Sequence, residues 1–106
     1  MTLTEIKRML DVTGLPVTER AWPEGKAPPL PFICYLVDPD GSDNFAADGV
    51  VYCAIDELQV ELYTKYRDPN TEAKVEEALA SHFWQKTVTY LDDEKCYQIQ
   101  YELEVI

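Results

Sequence analysis

The stretch Cys96-Tyr97-Gln98-Ile99-Gln100-Tyr101-Glu102-Leu103-Glu104-Val105 decides the fold. Tyr97, Ile99, Tyr101, Leu103 and Val105 alternate without a fault with Gln98, Gln100, Glu102 and Glu104. In a strand, successive side chains point to opposite faces, so this period of two means one face buried and one face in water. A second stretch upstream repeats the pattern: Leu58, Val60 and Leu62 alternate with Gln59, Glu61 and Tyr63. The chain therefore builds a sheet with one apolar face, and something else in the sequence must cover that face.

Two amphipathic helices are available for it. Thr2 and Glu5 have the spacing of a capping box, in which each side chain satisfies a free backbone N–H of the helix start. Leu3, Ile6, Met9 and Leu10 follow at helical spacing, and Gly14 supplies the stop, which predicts a helix over 3–13. Asp68 before Pro69 is an N-cap with proline at the first helical position, and Glu72 suits the positive end of the helix dipole. Val75, Ala78, Leu79 and His82 or Phe83 continue a stripe, which predicts a second helix over 69–83.

The remaining segments complete the outline. Leu15 to Arg20 reads as a short strand. Pro23, Pro28, Pro29 and Pro31 make the next stretch extended and keep it out of a sheet interior, with Trp22 and Leu30 placed to pin it. Phe32 to Val37 is a compact apolar strand. Asp38 to Gly49 is rich in turn formers and reads as a long loop. A strand resumes at Val50 and runs toward Tyr66, with a bulge near Asp56–Glu57 to bring Ile55 into phase with Leu58. If strands 32–37 and 50–55 close a hairpin over that loop, Cys34 faces Cys53. Thr87 to Leu91 and the strand from Tyr97 form a second hairpin around Asp92-Asp93-Glu94. The expected fold is one α+β domain over 1–106. It has an antiparallel or mixed sheet of about four to five strands, with two helices packed on one face.

Composition limits function. The 106 residues hold 20 Asp and Glu against 9 Lys and Arg, a formal charge of −11. Such a chain repels phosphate, so nucleic acid and anionic membranes are not expected as direct partners. The N-terminus lacks the pattern of a signal peptide, and the odd set Cys34, Cys53 and Cys96 contains no CxxC, as expected of reduced thiols in a cytoplasm.

Catalytic and metal chemistry find weak footing in the sequence. Asp38, Asp40 and Asp43 share a glycine-containing segment, but the glycine comes too early for an EF-hand, and Gly49 stands where a bidentate Glu is needed. His82, the only histidine, sits beside Phe83 and Trp84, and the cysteines fall in strands and not at a helix N-terminus, so no activated thiol is expected. Tyr97 and Tyr101 lack the basic surround that base stacking requires. No phosphate-cradling loop and no GxSxG occurs. Neither an enzyme nor a cofactor is expected.

Several stretches, in order, carry a resemblance: Pro23-Glu24-Gly25 with Ala27-Pro28-Pro29-Leu30-Pro31-Phe32, Asp43-Asn44-Phe45-Ala46-Ala47-Asp48-Gly49, Glu61-Leu62-Tyr63-Thr64, and Tyr97-Gln98 with Tyr101-Glu102. Together they resemble small head–tail connector and tail-completion proteins, tail-terminator-like and sometimes labelled minor capsid, of siphophages and prophages of Gram-positive bacteria. That resemblance implies a structural virion subunit at the tail or head–tail junction. It would be assembled in the bacterial cytoplasm, form a ring (hexameric in many such proteins) and contact other tail or connector proteins. The candidate interface is Trp22, Pro28, Pro29, Asn44, Phe45 and Asp48, with Phe45 as an apolar anchor on the loop. The alternative from charge alone is an acidic DNA mimic that occupies a DNA-binding protein.

Overall fold

The structure is a computed structural model that describes the backbone of residues 2–47 and 50–105, and the side chains of 2–37 and 57–105. Its elements run α1 (Leu3–Asp11), β1 (Val17–Glu19), β2 (Phe32–Ala47), β3 (Val50–Thr64), α2 (Pro69–Ala78), β4 (Trp84–Leu91) and β5 (Cys96–Val105). The strands form one sheet in the order β1-β2-β3-β5-β4. β1 joins β2 in parallel and every other neighbour is antiparallel, so the sheet is mixed. The expected α+β class with two helices is the one observed.

The helix starts follow from local chemistry. Thr2 Oγ1 accepts the Glu5 N–H at 3.1 Å, and Glu5 Oε1 accepts the Thr2 N–H at 3.2 Å, closing the capping box. Asp68 Oδ1 accepts the N–H groups of Asn70 and Thr71, with Pro69 opening α2. Gly14, at φ 78°, takes the left-handed turn that leads the chain away from α1. Both helices end before the sequence suggests, α1 at Asp11 and α2 at Ala78. After α2, the His82 N–H bonds to the Leu79 carbonyl in a turn, which frees Trp84 to begin β4 three residues earlier than expected.

The alternation seen in the sequence sets the faces. Leu58, Val60 and Leu62 of β3 pair with Leu103, Tyr101 and Ile99 of β5 and with Val37, Tyr35 and Ile33 of β2. With Ile6 and Leu10 of α1 and Val75 and Leu79 of α2, these residues form the core; Val37 is only partly buried. The opposite face, with Gln59, Glu61, Gln98, Gln100, Glu102 and Glu104, carries no helix.

The largest departure from expectation is the segment 38–49. It is not a loop: β2 continues to Ala47 and β3 begins at Val50, so the strands pair almost to the tip, and Asp48 and Gly49 lie outside the described residues. Cys34 consequently pairs with Glu61, and Cys53 pairs with Phe45. The expected Cys34–Cys53 neighbourhood is wrong because β2 and β3 pair as far out as Ala47 and Val50 and not only up to Asp38. The irregularity expected near Asp56 exists, but on the partner strand. β3 stays in register with β5 through Asp56, while residues 39–42 of β2 are extra opposite it. β1 ends opposite Tyr35 and β5 opposite Asp56, so, among the described residues, Asp43–Ala47 and Val50–Ile55 pair only with each other. They extend as a two-stranded arm, in keeping with a long axis of 49 Å against 29 and 23 Å.

Candidate interaction surfaces

The candidate interface residues fall into two separate places. Trp22 packs edge-on against Phe32, ring centroids 5.9 Å apart, and Phe32 lies 5.3 Å from Tyr63. These rings occupy one corner of the helix-free face, where cross-strand pairing sets Phe32 beside Tyr63 and Cys34 beside Glu61. Pro28 is half-buried and Pro29 exposed in the extended segment that leaves Trp22. This segment enters β2 through a cis Leu30–Pro31 bond. Asn44 and Phe45 belong to the arm, paired with Ala54 and Cys53, and Asp48 lies outside the described residues. Phe45 is therefore a strand residue and not the tip of a loop.

The aromatic corner is a small second apolar cluster with polar edges. Tyr63 donates to Glu61 Oε2 at 2.6 Å and accepts from Gln98 Nε2 at 3.1 Å. Burial first, and the adjacent Glu61 carboxylate second, push the Tyr63 phenol well above its usual range. The same causes push the Cys34 thiol up to about 11, so at neutral pH it stays protonated and unreactive. The indole N–H of Trp22 is enclosed with no partner among the described residues.

A polar network on the helix-covered side was not foreseen from sequence. Glu72, only 3% exposed, receives Arg67 through Nε at 2.9 Å and a second nitrogen at 3.1 Å, and Lys86 Nζ at 2.6 Å. Lys86 also reaches Glu76 at 2.8 Å, and the buried Tyr101 hydroxyl donates to the same Glu76 oxygen at 2.8 Å. The Arg67 guanidinium foremost, with Lys86 assisting, holds the Glu72 carboxyl below the ordinary glutamate value. Burial works against the Lys86 charge, yet its two carboxylate contacts raise it overall. The network ties α2 to the inner end of β4 and β5. Its geometry explains packing: each charged member has an opposite partner.

Among the described residues, no group of three or more His, Cys, Asp or Glu side chains converges as a metal site would require, and no helix is long and apolar enough to cross a membrane. His82 contacts Ser81 Oγ through Nδ1 at 3.2 Å, and the described thiols of Cys34 and Cys96 are buried elsewhere in the sheet. A shallow groove lined by Met9, Val12, Thr13, Lys74, Glu77 and Ala78 runs between the helices. A scan against protein-family models finds no match, and a search of the curated proteins finds none either.

Proposed function

We propose that this chain is a structural subunit of the head–tail connector or tail of a phage or prophage. It would be a tail-terminator or tail-completion part that binds copies of itself in a ring and neighbouring tail or connector proteins. The observation that carries the reading is the two-stranded arm. Asp43 to Ala47, part of a stretch that contributes to the family resemblance, forms one of its two strands, and the arm reaches past the last pairings of β1 and β5. A ribbon of two strands has little stability of its own in water. A subunit that inserts the arm into a neighbour gives it a packing partner on assembly. The arm and its root, residues 38–57, carry six acids and no Lys or Arg, so the complementary surface on the neighbour is basic or neutral. In this reading the protein acts in the virion after assembly in the host cytoplasm.

Native mass spectrometry over a range of concentrations tests it. The expected result is a discrete closed ring, six subunits foremost, that disappears when the arm is cut back to a short turn between Asp38 and Glu57. Particles that assemble normally with the shortened arm would remove the reading.

One observation favours the DNA-mimic alternative: Glu57, Glu61, Glu102 and Glu104 share the helix-free face, with Glu57 directly opposite Glu104. That reading requires the chain to displace duplex DNA from a basic DNA-binding protein, with a steep salt dependence.

A further inference from the structure

β4 ends the sheet, and it is the edge least protected against pairing. Natural edge strands are blunted by shortness, proline, bulges or charge. β1, the opposite end of the sheet, has three residues. The outer side of β2 beyond β1 carries Asp38, Pro39, Asp40 and Asp43. β4 has eight residues, no proline, and an unbroken register with β5 from Trp84↔Leu103 to Leu91↔Cys96. Its single charge, Lys86, points inward, which ordinarily deters a further strand because covering it would bury a bare charge. Here Glu72 and Glu76 hold that ammonium at 2.6 and 2.8 Å, so the deterrent is neutralised.

Charge distribution identifies the occupant. Two chains of −11 repel each other over most of their surfaces. Residues 78–91 contain no Asp or Glu, the longest such run in the chain, and they include all of β4. Val88 and Tyr90 lie on the side of the sheet that bears the helices, yet are 37% and 47% exposed. Phe83, just before the strand, is 86% exposed.

We infer that β4 pairs with β4 of a second copy, antiparallel across a two-fold axis perpendicular to the sheet. This contact is self-complementary: each edge offers the other the same length of unpaired backbone, and acid-free surface meets acid-free surface. It joins two sheets into one of ten strands with all helices on the same side, and brings Val88 and Tyr90 against their counterparts. The contact is separate from the arm and does not depend on a role in a virion.

Sedimentation and amide exchange on the full chain test it together. As concentration rises from low micromolar to millimolar, the mass of the species present at low concentration, monomer or arm-linked ring, is expected to double, and the β4 amides that face outward are expected to slow in step. The double variant Val88→Lys/Thr89→Lys places like charges across the axis. It should weaken the dimer about tenfold or more while leaving the monomer's melting temperature close to that of the parent. The chain with the shortened arm should dimerise as the parent does. A mass that does not change with concentration over that range, or an association that leaves β4 exchange unchanged, overturns the inference.

Discussion

The two faces of the central sheet are made by the same strands and do different work. On one face Leu58, Val60, Leu62, Ile99, Tyr101 and Leu103 are buried under the helices. One residue along each strand, Gln59, Glu61, Gln98, Gln100 and Glu102 form a helix-free surface of half-exposed polar side chains. Folding free energy is concentrated on the first face, because apolar area removed from water stabilises by about 25 cal/mol per Å² and exchange of water for protein hydrogen bonds contributes little net. The second face is free to be shaped by whatever meets it. The Trp22–Phe32–Tyr63 corner is an exception, since there the proline segment brings its own apolar cover.

Five substitutions test this contrast. Leu62→Ala on the covered face should cost about 4 kcal/mol in urea unfolding, against about 0.5 kcal/mol or less for Gln100→Ala on the other face. Similar costs for the pair would mean that the helix-free face is buried in the working protein. Glu72→Gln should cost about 3 kcal/mol, because it leaves Arg67 and Lys86 beside an uncharged group in a buried setting. The pH dependence supplies a second readout. Glu72 has a folded-state pKa below its unfolded one, so its contribution is full above the ordinary value of 4.5 and is lost as pH falls through the folded value. The parent should therefore lose stability in acid more steeply than Glu72→Gln, and parallel curves would show that the network is not coupled to folding. Trp22→Ala should cost about 2 kcal/mol, less than a core truncation because the ring is half-buried. If thermal unfolding is unmoved, the proline segment is held by something other than that ring. A smaller effect than that of Trp22→Ala, about 1 kcal/mol, is expected for Tyr101→Phe, which keeps the ring against Trp84 at 5.3 Å and loses only the bond to Glu76.

The site-level reading was less legible than the fold, and the cause is visible in particular residues. The sequence offers Trp22 as a pin, and it packs on Phe32, because an aromatic at the edge of a proline-rich segment has few other places to go. The turn formers Asp38, Pro39, Asp40, Gly41 and Ser42 read as a loop that would carry Phe45. In the structure residues 39–42 are absorbed as an irregularity opposite Asp56, and pairing resumes at Asp43. The Glu72 network left no trace in the sequence, since Arg67, Glu72 and Lys86 come from a loop, a helix and a strand with no motif spacing between them.

The local features were legible in the sequence: the capping box at Thr2, the N-cap at Asp68, the stop at Gly14, and the period of two that assigns every residue from Tyr97 to Val105 to a face. Each depends on interactions within a few positions along the chain, and such preferences survive in any tertiary context. The rest is non-local and depends on how the elements pack. The tertiary structure set the register that puts Cys34 against Glu61, inserted β5 between β3 and β4, extended β2 and β3 into an arm, and left β4 as the unguarded edge. Register is a sum of pair energies over two distant stretches and the helices that cover them, and no single stretch contains that sum.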